Sequence, residues 1–276
     1  MFDKNIGLLG ASSFVGQALE PMLARAGYRI YPFTRKHTSP EARSTAHPYP
    51  YWICVAPIWV LPEHFAMLQA GGVKRIVVVS STSVFTKDTS SDPAEQATAK
   101  KLLDAESALQ VWAERSGVEW VVLRPTLIYG FGKDKNISEM ARVIQRFRFF
   151  PLLGKASGLR QPIHARDVAE ACLAALESSN VINRAYNLSG GETLTYKAMV
   201  KRIFQALGQR PWLISIPLWL FGLAVQILRQ LPRYRQWTTA MAQRMNCDLV
   251  FDHTAASADF GFQPQPFVLS AEDLPT

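Results

Sequence analysis

Apolar residues in the first two-thirds of the chain fall into short runs separated by stretches of helical periodicity. The runs Asn5–Gly10, Tyr28–Phe33, Tyr51–Val55, Arg75–Ser80, Glu119–Arg124 and Ala185–Leu188 predict buried strands. Between them, Val15–Ala26, Pro62–Ala70 and Ala97–Ser116 predict helices. Strands alternating with helices make an α/β fold with a parallel sheet covered on both faces. Arg35 to Tyr51 is polar, holds three prolines and shows no strand, so one strand and its helix are trimmed there. From Ile137 the pattern turns mostly helical, over Ser138–Phe147, Ala165–Ser178 and Thr195–Leu207. Thr195 suits an N-cap and Gly208 the residue after a helix end. The expected division is a sheet domain over 1–135, with return segments near 160–190, and a smaller lobe over most of 136–276.

The first strand runs straight into a glycine turn, Gly10-Ala11-Ser12-Ser13-Phe14-Val15-Gly16, and a helix follows at once. Helix N-terminal amides lack partners and carry partial positive charge, so such a turn can hold a dinucleotide pyrophosphate. Gly10 allows the sharp turn and Gly16 lets the helix pack on the sheet. Ser12, Ser13, Phe14 and Val15 complete the cofactor-facing turn. Ser13 stands where a middle glycine is usual, so its side chain is expected where bare backbone would approach phosphate.

Thirty Lys and Arg against 22 Asp and Glu give a net charge of +8, which suits an anionic ligand or a membrane surface. The basic residues are spread through helical segments and form no tail or aromatic-studded strip, which argues against nucleic acid. Cys54, Cys172 and Cys247 lie far apart, and with five scattered histidines they predict buried free thiols and no metal site. Met1-Phe2-Asp3-Lys4 leads straight into a strand, which predicts no leader peptide and a cytoplasmic protein.

Further motifs follow in order. They are Val78-Val79-Ser80-Ser81-Thr82-Ser83-Val84-Phe85, Leu123-Arg124-Pro125-Thr126-Leu127-Ile128-Tyr129-Gly130, Ile163-His164-Ala165-Arg166-Asp167-Val168 and Tyr186-Asn187-Leu188-Ser189-Gly190-Gly191-Glu192. Together with the glycine turn, these motifs make the chain resemble the extended short-chain dehydrogenase/reductases. Within them it is similar to the NAD-dependent epimerase/dehydratase group, which mostly handles nucleotide sugars.

The resemblance implies a Rossmann-like, doubly wound domain with a C-terminal substrate lobe and hydride transfer as the reaction type. Ser81 falls at the catalytic Ser/Thr position, where a hydroxyl hydrogen-bonds the reacting oxygen. Ala56, Ser80 and Pro125 fall on the cofactor, and Thr82, Asn136 and Arg160 on the substrate, Arg160 as the guanidinium for a diphosphate. His164, Asp167 and Tyr129 look structural, and Asn136 fits a loop brace equally well.

The chain departs from that family at Y-x-x-x-K. Counting back four from Lys100 gives Gln96 and from Lys101 gives Ala97, and no tyrosine lies between Tyr51 and Tyr129. Lys100 is still expected at the nicotinamide ribose. The second strand ends Thr34-Arg35-Lys36 with no carboxylate, which favours the 2′-phosphate of NADP over NAD. An epimerase- or reductase-like enzyme without its usual acid is one reading, and a non-catalytic NADP-binding sensor or assembly protein is the other.

The stretch Pro217–Leu231 is apolar almost all round, with Arg229, Arg233 and Arg235 on or after it. It fits a core helix, a homodimer contact or, over 217–235, a membrane-surface segment.

Overall fold

The structure is a computed structural model and describes residues 4–33, 49–88, 90–222 and 239–275. Its centre is a parallel six-stranded sheet in the order β10-β5-β4-β3-β1-β2. The strands are β1 (Asn5–Leu9), β2 (Arg29–Phe33), β3 (Tyr51–Cys54), β4 (Arg75–Val79), β5 (Glu119–Pro125) and β10 (Arg184–Leu188). They are the six that the apolar runs predict. β1, β4 and the middle of β5 are buried throughout, as a sheet covered on both faces requires.

On one face lie α1 (Phe14–Arg25) and α5 (Ala165–Glu177), sealed by Leu19, Leu23, Val168 and Cys172. The other face carries a 3₁₀ turn (Ile58–His64), α2 (Phe65–Ala70) and α3 (Pro93–Ser116) over Trp52, Leu68 and Leu109. Buried Arg75 joins β4 to the end of α5. Its guanidinium donates to the carbonyls of Ala175 at 3.0 Å and of Ser178 and Val181 at 2.5 Å. A cation at a helix C-terminus answers both the orphan carbonyls and the dipole.

α3 begins at Pro93, four residues earlier than its periodicity suggests. Asp92 is the N-cap and accepts from the Ala94 amide at 2.9 Å, and proline at the first helical position loses no bond. The helix stops where Gly117 takes a left-handed conformation.

A second lobe has its own core, with Ile144, Leu152, Met199, Phe204 and Phe267. Around it lie α4 (Ile137–Phe147), α6 (Tyr196–Ala206) and α7 (Thr239–Asn246), with the parallel pair β7 (Phe150–Leu153) and β12 (Leu213–Ile216). Thr195 caps α6 by accepting from the Ala198 amide at 3.1 Å. Short pairs link the layers: β6 (Ile128–Tyr129) with β9 (Ile163–His164), and β8 (Leu159–Arg160) with β11 (Leu194–Thr195). α8 (Thr254–Phe260) returns to the α1/α5 face through Ala256 and Phe262, a return the sequence pattern does not announce. Cys54 and Cys172 are buried thiols, but Cys247 is exposed on the loop after α7, where the sequence reading expects burial.

Residues 218–222 are helical, with Phe221 in the lobe core and Leu218, Trp219 and Leu220 exposed. The rest of the predicted helix, from 223, lies outside the described residues. Among them, no helix is long and apolar enough to cross a membrane.

Candidate functional site

The register brings the strand ends to one edge: Leu9 sits beside Phe33 and Cys54, Cys54 beside Val78, Val79 beside Leu123, and Pro125 beside Leu188. β2 lies on one side of β1 and β3 on the other, so a crevice opens at the carboxyl end of β1. Such a switch point is where open α/β sheets take ligands. Gly10 occupies it with φ +94°, and a Cβ there would lie 2.5 Å from the Ala56 nitrogen. A Cβ on Gly16 would lie 2.4 Å from the Gly10 carbonyl oxygen, so the helix start packs flush on the turn.

Ser13 behaves differently from expectation. Its hydroxyl turns back and accepts from the Gly16 amide at 3.0 Å, making Ser13 the N-cap of α1. One of the free amides is thereby used, while those of Phe14 and Val15 have no intrahelical acceptor. Ser12 is exposed, and its carbonyl accepts from the Gln17 amide group at 3.3 Å. Ala56 donates its amide to the Leu9 carbonyl at 3.2 Å. Lys133, which the sequence reading misses, donates to Gln17 Oε1 at 2.6 Å and brings an ammonium to the first turn of α1. Thr34, Arg35 and Lys36 lie outside the described residues.

At the ends of β4 and β5 the edge is occupied by side chains. Buried Glu106, from α3, accepts from Ser80 Oγ at 2.5 Å and from Arg124 at 2.5 Å and 3.2 Å. The Arg124 guanidinium also lies over the Phe85 ring, 5.1 Å from its centroid. Ser81 Oγ accepts from the Ser83 amide at 3.1 Å, which leaves its own proton free to donate. Thr82 is buried and donates to the Pro125 carbonyl at 3.2 Å, so its proton is engaged within the fold.

Glu106 sets the phase of α3. One and two turns earlier on its face stand buried Leu102 and half-buried Thr98. Gln96, Ala97, Lys100 and Lys101 are exposed, and Lys100 pairs with Asp104 at 3.1 Å. Lys100 therefore points outward, a correction to the expectation that it reaches the ribose. The spacing-based register is out of phase because it takes the lysines as its anchor, whereas the helix is anchored by a buried carboxylate.

On the lobe side, Arg160 is buried, donates to the carbonyls of Leu159 at 2.6 Å and Cys247 at 2.8 Å, and lies over the Tyr196 ring. Burial pulls its pKa down, and among the described residues no carboxylate forms an ion pair with it. Asn136 is exposed and caps nothing with its side chain. Asp134 does the bracing instead, accepting from the Asn136 amide at 2.8 Å and from Ser138 Oγ at 2.6 Å.

His164 accepts from the Arg166 amide through Nδ1 at 3.0 Å, so Nε2 carries the proton toward Asp273, 3.0 Å away. Asp273 also accepts from the Phe131 amide and from Ser270 Oγ. Burial pushes its carboxyl up, but the bonds from His164, Ser270 and Phe131 outweigh that and hold it well below the usual carboxylate range. Asp167 accepts from the Gln265 amide, and Tyr129 donates to the Val268 carbonyl. These groups clasp the C-terminal segment to the sheet layer.

Residues 64–189 match the sequence model of the NAD dependent epimerase/dehydratase family. Over that stretch, a little under half of its length, the chain is similar to the family. Its β4–α3 and β5–β10 segments, with Ser80, Glu106 and Arg124, fall inside the matched stretch. UDP-glucose 4-epimerase of Vibrio cholerae is 24% identical over 162 residues, 55% of this chain and 49% of that protein. NADH dehydrogenase [ubiquinone] 1 alpha subcomplex subunit 9, mitochondrial, of Arabidopsis thaliana is 22% identical over 150 residues, 54% of this chain and 35% of that protein. The chain thus spans about half the length, or less, of these curated relatives. The UDP-glucuronic acid 4-epimerase of Bacillus cereus, solved in complex with NAD, has a similar fold: TM-score 0.69 at 13% identity, covering 98% of this chain and 95% of that one.

Proposed function

We propose that the chain binds NAD(P) at the β1 edge and acts on a nucleotide- or phosphate-bearing sugar by hydride transfer. Gly10 carries this reading: a left-handed turn at the switch point, packed so closely on Ala56 that no side chain fits. Backbone and helix amides, with the Lys133 ammonium beside the first turn of α1, are then the groups a pyrophosphate would meet among the described residues. Phe14 and Val15 would hold it through their amides, with Gly16 keeping the helix close and Ala56, Ser80 and Pro125 along the neighbouring strand ends. Arg35, with Thr34 and Lys36, would take a 2′-phosphate, which makes NADP the preferred cofactor. The bound nicotinamide supplies the hydride donor or acceptor.

Ser81 keeps a proton to donate to a ligand oxygen, and buried Arg160 without a carboxylate partner is the counter-charge for a diphosphate. Thr98 and Leu102 stand where an acid–base pair would be expected on α3, and neither titrates in the useful range. The proton therefore passes through Ser81, water or the substrate's own hydroxyl. The V. cholerae and B. cereus epimerases support a nucleotide sugar as the ligand class.

A second reading, favoured by Thr98 and Leu102, is an NADP-binding sensor or assembly protein without turnover. The respiratory-chain subunit among the relatives supports it. Incubation with NADP⁺ or NAD⁺ and UDP-glucose, followed by analysis for reduced cofactor and epimerised sugar, separates the two. Slow turnover that falls in Ser81→Ala supports the enzyme. Cofactor binding with no product supports the second reading, and brisk turnover unaffected in Ser81→Ala contradicts the site.

A further inference from the structure

The charge of this chain is concentrated. Between Glu192 and Asp248 there is no acidic residue but eight Lys and Arg, so this stretch alone holds the whole net excess of +8. A second stretch, 140–165, also lacks acids and contains Arg142, Arg146, Arg148, Lys155 and Arg160.

The fold joins the two stretches, because β7 from one pairs with β12 from the other. At one end of the pair, Phe149 meets Trp212 with ring centroids 6.0 Å apart, and Phe147 lies 6.2 Å from Phe149. Arg146 sits over the Phe147 ring at 5.3 Å. At the other end Ile216 leads into residues 218–222, which Phe221 fixes to the lobe core. Trp212 is 60% and Trp219 71% exposed, and Phe147, Ile214, Leu218 and Leu220 are exposed as well. Six of the thirteen exposed large hydrophobic residues among those described therefore lie on one strand pair or on the segments that flank it directly.

We propose that the β7/β12 edge docks on an anionic lipid bilayer, Trp212, Trp219 and Phe147 entering the headgroup boundary while Arg146, Arg148 and Arg210 meet lipid phosphate. Tryptophan is suited to that boundary because its ring is apolar and its N–H is polar. Ile214, Leu218 and Leu220 argue for lipid over nucleic acid, since stacking on bases gains nothing from aliphatic side chains. Arg142, Arg202 and Arg244 pair with Glu139, Glu192 and Glu95 from outside the two stretches, whereas Arg146, Arg148 and Arg210 form no ion pair among the described residues and are left to meet an anionic surface. The proposed attachment is at the surface; among the described residues no helix is long and apolar enough to cross a membrane.

Co-sedimentation with phosphatidylglycerol/phosphatidylcholine vesicles, and with phosphatidylcholine alone, tests this directly. The full chain should pellet with the anionic vesicles, and high salt should release it. Trp212→Ser/Trp219→Ser should weaken binding by roughly ten-fold or more, with an unchanged circular dichroism melt. Should that variant misfold, Arg146→Gln/Arg210→Gln touches only exposed side chains and should reduce the preference for anionic vesicles several-fold. Three results overturn the proposal: wild type that ignores anionic vesicles, binding that is equal on neutral vesicles, or a dimer lost in the tryptophan variant with no vesicle binding. Binding to a single-stranded oligonucleotide but not to vesicles also overturns it.

Discussion

The β1 end and the β4 end of the crevice lie on one sheet edge and are built in opposite ways. At β1 the structure removes atoms: Gly10 and Gly16 have no room for a Cβ, and Ser13 folds its hydroxyl into the helix cap. At β4 side chains fill the edge, where Ser80, Glu106 and Arg124 satisfy one another and Thr82 bonds to backbone. In the proposed function, holding a dinucleotide would depend on backbone geometry, whereas the acid–base pair that α3 lacks would need two side chains one helical turn apart. Those two positions can hold Thr98 and Leu102 without disturbing the cradle or the fold. The two functions are separable, and each side of the comparison can be attacked alone.

The largest effect belongs to the β4 side. Glu106→Ala leaves Arg124 mostly buried without its carboxylate, which costs about 3–5 kcal/mol when one partner of a buried pair is removed. Urea unfolding measures it, and a loss below about 1 kcal/mol would mean that the triad is not what holds α3 to β5. The His164–Asp273 clasp touches neither end and serves as a control. Asp273 has a depressed pKa in the folded state, so its stabilisation is present above the unfolded carboxylate value of about 3.9 and is lost as the pH falls through its folded value. Acid titration of stability should therefore flatten in Asp273→Asn, while cofactor affinity at neutral pH stays the same. On the β1 side, NADPH should bind several-fold more tightly than NADH, and Arg35→Ala should remove most of the difference. Equal affinities in the wild type would refute the 2′-phosphate assignment. The smallest effect is a near-zero one: Lys100→Ala should change cofactor affinity by less than about two-fold, since exposed pairs such as Lys100–Asp104 contribute little.

What could be read from the sequence divides along the same line. Strand runs and the Gly10–Gly16 turn are local signals, so all six sheet strands and the cofactor edge follow from neighbouring residues. The start of α3 was also legible, in Asp92-Pro93, but periodicity alone places it at Ala97 and misses the cap. The phase of α3 was not legible, because it is set by Glu106 meeting Arg124 and Ser80, residues distant in sequence. Cys247 was misplaced for a related reason. Burial of a single polar or thiol side chain depends on what the second lobe lays against it. α8 shows the same limit, since its short apolar face joins the α1 core only through tertiary packing.

A working dinucleotide cradle at the β1 end is the centre of the proposed function. Its most direct test is a fluorescence titration of NADPH and NADH into the wild type and Gly10→Val. A β-branched residue at φ +94° adds strain of about 1–3 kcal/mol and pushes against Ala56 at the point where the pyrophosphate would lie. The account predicts saturable binding to the wild type and a loss of roughly 100-fold or more in the folded variant. A wild type that binds neither cofactor, or a Gly10→Val protein that binds as tightly as the wild type, would contradict it.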